Sequence, residues 1–254
     1  MKILFFGDIV GRPGREAVLE NINMLRRRYG ADVCIANCEN AAGGFGITRE
    51  HAETLLRAGV DVFTTGNHVW SKKEIISLFD EIPIVRPHNL PSSDPGSGIL
   101  VYTTDRGERI AVINLLGRLY MDMPAGSPFE TLDKLLETVD TPHIFVDFHA
   151  EATSEKKALG YYADGRVSAV IGTHTHVQTA DECILPEGTG YLTDAGMCGA
   201  IDSVLGVDRV IAVERFTSSV RRGYEVARGR HMASGVFIET NEKGKAIRIE
   251  RIQE

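Results

Sequence analysis

Val170-Ile171-Gly172-Thr173-His174-Thr175-His176 is a short apolar run that ends in two imidazoles. An apolar run of this length reads as a buried strand. The same arrangement recurs along the chain. Ile3-Leu4-Phe5-Phe6 runs into Gly7-Asp8, and Val33-Cys34-Ile35-Ala36 into Asn37-Cys38-Glu39-Asn40. Val62-Phe63-Thr64-Thr65 runs into Gly66-Asn67-His68, and Ile144-Phe145-Val146-Asp147-Phe148 into His149. Each run delivers a carboxylate, amide or imidazole at its C-terminal end. Helical periodicity over residues 15–29, 49–57, 73–79, 131–139 and 155–162 separates most of these runs. Thr48 and Gly59 read as the cap and stop of the second helix. Strands alternating with helices imply βαβ units and a largely parallel sheet. Open α/β sheets bind ligands at the C-terminal strand edge, so a shared sheet would gather the five clusters in one crevice.

The remaining runs read as a hairpin, 99–102 and 110–115 around Asp105-Arg106-Gly107, and as closing antiparallel strands at 190–193, 235–239 and 246–251. The expected class is therefore α/β, with a mixed or second sheet packed on the first. Residues 87–98, rich in Pro, Ser and Gly, read as a loop, so 1–254 is expected to be one domain. A composition of 43% hydrophobic and 25% charged residues excludes a disordered or fibrous chain. The net charge of −7 argues against bulk nucleic-acid binding. The N-terminal apolar run is too short for a signal peptide, and no run approaches the ~18 residues of a membrane helix. A cytoplasmic location is expected. Cys34, Cys38, Cys183 and Cys198 form no CxxC and read as buried, reduced thiols.

Two carboxylates, two amides and several imidazoles, without thiolate, make an O/N donor set suited to iron, manganese, cobalt or zinc. Extended backbone would point His174 and His176 to one side, each toward a neighbouring ion. A carboxylate such as Glu39 could bridge two ions, and paired ions ~3.5–4 Å apart generate a hydroxide nucleophile and hold phosphate oxygens. Asp8 and Glu39 contribute −2 against +4 from two divalent ions, so the site attracts a phosphate ester despite the acidic chain. Taken singly, each residue also has a plain role in a turn, a cap or a core; their recurrence at one topological place favours the metal. His51, His143 and His231 read as structural, His88 as part of its loop, and Arg26–Arg28 as a solvated helix face. Gly43-Gly44-Phe45-Gly46 reads equally as a turn or as a lid beside Glu39-Asn40. Gly11-Arg12-Pro13-Gly14 opens the first helix and reads as a turn with Pro at its start or as free N–H groups that favour an anion.

At these stretches the sequence resembles the calcineurin-like metallophosphoesterases, and more closely their bacterial YmdB-type subfamily. Further matching stretches are Asn114-Leu115-Leu116-Gly117-Arg118 and Phe148-His149-Ala150-Glu151-Ala152-Thr153-Ser154-Glu155-Lys156. The broad family's first motif is Asp-x-His, where this chain has Asp8-Ile9-Val10; its second carries Asp, where this chain has Glu39. The subfamily shares both changes. The resemblance implies a two-sheet mixed β-sandwich flanked by helices. It implies that Asp8, Glu39, Asn40 and His176 hold one ion, and that Glu39, Asn67, His149 and His174 hold the other. It implies His68 as proton donor to the leaving oxygen, iron as the metal, and phosphodiesterase activity on 2′,3′-cyclic nucleotides such as 2′,3′-cyclic AMP; by donor chemistry manganese is the second candidate. The expected partner is a small phosphodiester or nucleotide; a homo-oligomer stays open. A phosphomonoesterase and a non-catalytic, metal-dependent nucleotide sensor are the alternatives.

Overall fold

The computed structural model describes residues 1–219 and 222–254. Its first main sheet orders five strands as Ala246–Gln253, Ser234–Thr240, Lys2–Phe6, Val33–Asn37 and Val62–Thr64. Its second orders six as Ile99–Thr103, Arg109–Leu116, His143–His149, Ala169–Thr173, Gly190–Leu192 and Cys183–Ile184. In the first sheet Lys2–Phe6, Val33–Asn37 and Val62–Thr64 run parallel and the other two strands form an antiparallel pair beside them; in the second the four inner strands run parallel and an antiparallel strand closes each edge. The architecture is mixed α/β, with helices on the outer faces.

Side-chain alternation along the strands explains the layering. Ile3 and Phe5 point between the sheets, where they join Val33, Ile110, Phe145 and Ile171 in a shared core. The rings of Phe5 and Phe145 meet at 5.0 Å across it. Leu4 and Phe6 point the other way, onto Val18, Ile22 and Leu25 of the helix Gly11–Tyr29. On the far side Val146, Phe148 and Val170 pack on Leu132 and Leu159, from the helices Pro128–Leu136 and Thr153–Ala163. Strands apolar on both faces are what two-sided burial requires.

Several expectations are corrected. The five strand ends do not share one sheet: three belong to the first sheet and two to the second. Residues 190–192 run parallel to Ala169–Thr173, not antiparallel, because the short strand Cys183–Ile184 supplies the reversal. The first helix starts at Gly11, whose φ of 58° precedes Pro13 in the opening turn, and ends at Gly30 in the left-handed region. The helix Arg209–Thr217 has no counterpart in the sequence reading; Val210, Val213 and Phe216 are exposed on it, so no amphipathic pattern marks it. Its start is fixed by Asp208, whose side chain accepts from the N–H groups of Val210 and Ile211. All four cysteines are free, yet Cys183 lies exposed on its edge strand, against the expectation of burial. Arg26 is not simply solvated: it donates to Asp61 at 2.9 Å and to the Gly59 carbonyl.

Candidate metal centre

The C-terminal ends of the two sheets face one another, and this edge assembles the site. Lys2–Phe6 delivers Asp8, Val33–Asn37 delivers Glu39 and Asn40, and Val62–Thr64 delivers Asn67 and His68. From the second sheet His143–His149 ends on its own histidine, and Ala169–Thr173 leads to His174 and His176. Asn37 ties the sheets together just beneath the site, donating to Asp147 at 3.0 Å and to the Thr65 carbonyl at 3.1 Å.

The donor atoms converge. His149 Nε2 lies 3.0 Å from Glu39 Oε1, 2.9 Å from Asn67 Oδ1 and 3.1 Å from His174 Nδ1. Glu39, His149 and His174 form a group able to hold a metal ion. Beside it, Asn40 Nδ2 is 3.1 Å from His176 Nε2, and Asp8 Oδ1 is 3.8 Å from His149 Nδ1 and 3.9 Å from His176 Nε2. Asp8 Oδ2 accepts the His174 N–H at 3.0 Å, but Asp8 Oδ1 is buried with no hydrogen-bond partner. Buried carboxylate oxygens are normally paired, so a bare one aimed at two imidazoles is a place for a cation. Donor atoms held on one ion by bonds of about 2.1 Å sit about 3 Å apart, which matches the spacing around His149.

The outer nitrogens are also spoken for. His149 Nδ1–H donates to Thr173 Oγ1 at 2.9 Å, and the Thr173 hydroxyl donates to Asp147 at 2.6 Å. His174 Nε2 faces Glu151 at 3.2 Å, and His176 Nδ1–H donates to the Leu205 carbonyl at 3.0 Å. Such contacts fix the ring orientation and tautomer of a metal-binding histidine. Each ring therefore turns its remaining nitrogen inward.

His174 and His176 do not form the extended pair expected from their spacing. Their φ values are 96° and 64°, in the left-handed region. That conformation costs energy and needs support. Asp194 supplies it, accepting from the Thr175 N–H at 3.2 Å and the Thr175 hydroxyl at 2.7 Å. Buried Lys156 completes the clamp, reaching Asp194 at 2.6 Å and the Thr173 carbonyl at 2.7 Å. Gly66 is required by crowding, because a Cβ there would collide with Glu39 Oε2 and the His149 ring.

The electrostatics follow from burial and charge. Burial pushes Asp8 up, while the neighbouring imidazoles oppose it. Burial also pushes Glu39 up, but His149 and His68 outweigh it and leave the carboxyl at about 2. His149 is pushed down by burial, yet Glu39, Asp8 and Asp147 carry it to about 9. Burial and the neighbouring His149 lower His174 to about 3, so its ring is neutral. Burial holds Asp147 up at about 6. His149 thus carries a proton where the donors meet, and a cation would displace it.

His68 stands at the rim. Its N–H donates to Glu39 Oε2 at 3.0 Å, and its half-buried ring packs edge-on to Phe45 at 4.9 Å. The Gly43–Gly46 stretch is a closed turn, with the Gly44 N–H donating to the Asn40 carbonyl at 3.1 Å and Gly46 N–H to the Glu39 carbonyl. The histidines read as structural have partners outside the metal centre: His51 contacts Thr48, His143 Thr240 and His231 Glu20. The sequence reading gives no role to Asp147, Thr173, Asp194, Leu205 or Tyr224. Only Asp147, a carboxylate amid an apolar strand, carries a local signal. Glu151 and Lys156 stand in a quoted motif without a role.

A family model described as YmdB-like protein matches residues 4–252. A Bacillus subtilis protein named 2′,3′-cyclic-nucleotide 2′-phosphodiesterase is 49% identical over 256 residues, covering 99% of this chain and 96% of its own. A solved structure of a hypothetical protein from Thermus thermophilus superposes with TM-score 0.95 at 40% identity, covering 100% of this chain and 99% of that one. A Mycoplasma pneumoniae structure described as a novel phosphatase gives TM-score 0.94 at 37% identity, covering 100% of this chain and 93% of that one. No helix among the described residues is long and apolar enough to cross a membrane.

Proposed function

Because this chain belongs to the YmdB-like family, we propose that it is a metal-dependent phosphodiesterase that opens 2′,3′-cyclic nucleotides, 2′,3′-cyclic AMP among them. The observation that carries this reading is the convergence of Glu39, His149 and His174 beside the unpartnered Asp8 oxygen. In this proposal the site would take two transition-metal ions, iron or manganese. Asp8, Glu39, Asn40 and His176 would hold one; Glu39, Asn67, His149 and His174 would hold the other. Bound there, the ions supply Lewis acidity toward phosphoryl oxygens and a nucleophile drawn from water at neutral pH.

The chain's own residues do the rest. Glu39 sits between the two donor groups and fixes the His68 backbone through Oε2. The Thr173 hydroxyl and the Leu205 carbonyl hold His149 and His176 in register. His68 gives a proton to the ribose oxygen that leaves phosphorus, because an alkoxide leaves poorly unprotonated. Burial lowers the pKa of His68, and the incoming phosphate charge favours its protonated form. Water adds to phosphorus, one ring P–O bond opens, and a nucleoside monophosphate results.

The test is elemental analysis of anaerobically purified protein coupled to a substrate panel. We expect about two transition-metal ions per chain and turnover of 2′,3′-cyclic AMP that chelation removes and metal restores. Hydrolysis of monoesters alone, or nucleotide binding without turnover by metal-loaded protein, would refute the reading.

A further inference from the structure

The cleft beside the metal centre has two kinds of lining. It encloses about 310 Å³ and is lined by Glu39, His174 and His176 of the metal centre and by Phe45, Tyr224 and Leu205 next to them. That volume lies within the range of small-molecule sites, ~300–1,000 Å³. The metal centre offers charge and imidazole; the neighbouring residues offer aromatic faces and an apolar side chain.

The aromatic lining is built rather than incidental. Phe45 and Tyr224 meet at 4.5 Å with their planes inclined by 58°, and both are only half-buried. Gly44 makes the contact possible. Its φ is 93°, and a Cβ there would collide with the Tyr224 ring, so the phenol lies directly against the loop backbone. The loop is tied to the residues of the metal centre, because Gly44 and Gly46 donate to the carbonyls of Asn40 and Glu39. One closed turn therefore joins Phe45 to the metal centre.

Phosphate-binding groups beside exposed aromatic ring faces match the chemistry of a nucleotide. We propose that Phe45 and Tyr224 form the base subsite, on which the nucleobase stacks while its cyclic phosphate faces the metal centre. The proposal rests on the phosphodiesterase reading and deepens it. Every base has a π-face, so stacking selects for the presence of a base and only weakly for its identity. The wall thus separates nucleoside cyclic phosphates from small cyclic phosphodiesters that lack a base.

The test compares kcat/KM for 2′,3′-cyclic AMP with that for methyl β-D-ribofuranoside 2′,3′-cyclic phosphate, which keeps the ring and lacks the base. Wild-type, metal-loaded protein should prefer the nucleotide by about 5- to 150-fold, the size of one base–aromatic stack. Phe45→Leu and Tyr224→Leu should each lower that ratio, whereas Tyr224→Phe should keep it. The ratio is the useful readout because Phe45 also touches His68, and a disturbed His68 would slow both substrates together. A wild-type ratio near one, or leucine variants that slow both substrates equally, would overturn the base subsite. Wild-type protein inactive on both would overturn the phosphodiesterase reading instead.

Discussion

Replacing Thr173 by Val tests whether the buried chain behind His149 governs the metal centre. Thr173 is fully buried. Its hydroxyl accepts from His149 Nδ1 at 2.9 Å and donates to Asp147 Oδ1 at 2.6 Å. Asp147 Oδ2 keeps Asn37 and Thr64, but Oδ1 has no other partner among the described residues. Thr173→Val keeps the shape and strands two groups at once, the His149 Nδ1–H and Asp147 Oδ1. An unsatisfied buried group costs ~1–3 kcal/mol, and more when charged, so metal-free protein should lose about 2–6 kcal/mol. For a chain of this size each kcal/mol moves Tm by about 2–4 °C, so a fall of at least about 4 °C is expected. Freed from its outer contact, His149 should bind metal about 10- to 100-fold more weakly. Thr173→Ser keeps the hydroxyl and should stay near wild type in both measurements. The assays are thermal unfolding of metal-free protein and metal titration against a competing chelator. A Thr173→Val protein with wild-type metal affinity would refute the argument that this chain orients His149.

Glu39→Gln removes the charge but keeps the shape. It should nearly abolish hydrolysis while circular dichroism stays native, and metal analysis should show loss from both donor groups. His68→Ala should retain its metal and slow 2′,3′-cyclic AMP hydrolysis by about 10²–10⁴-fold; the loss should shrink for a p-nitrophenyl diester, whose phenolate leaves without a proton. Metal affinity should rise with pH. The proton on His149, lost only near pH 9, competes with the ion for one lone pair, so each unit below that value weakens binding by up to about tenfold. Chelator titrations across the neutral to alkaline range check this; a flat profile would show that His149 binds metal without releasing a proton.

Where sequence reading succeeds, the physics is local. Each of the five apolar runs that end in a polar residue is a strand, and the residues that follow emerge at the sheet edge. That is why Asp8, Glu39, Asn40, Asn67, His68, His149, His174 and His176 can all be named in advance, and why they cluster in the structure. The helices fail at their boundaries. Residues 128–136 form the helix read over 131–139, because Ser127 caps it by accepting from the Glu130 N–H, a bond that apolar periodicity does not report.

Residue order alone establishes the repeated strand-to-ligand pattern and the O/N donor set without thiolate. Folding in three dimensions decides which sheet each strand joins, since a parallel strand pairs through backbone groups common to every residue. It also decides that His174 and His176 turn inward through left-handed backbone, because that strain persists only under the Lys156–Asp194 clamp from elsewhere in the chain. The outer partners of the histidines, Thr173, Glu151 and Leu205, and the wall of Phe45 and Tyr224 belong to the same class. Each is a meeting of residues distant in sequence, and no local spacing encodes such a meeting.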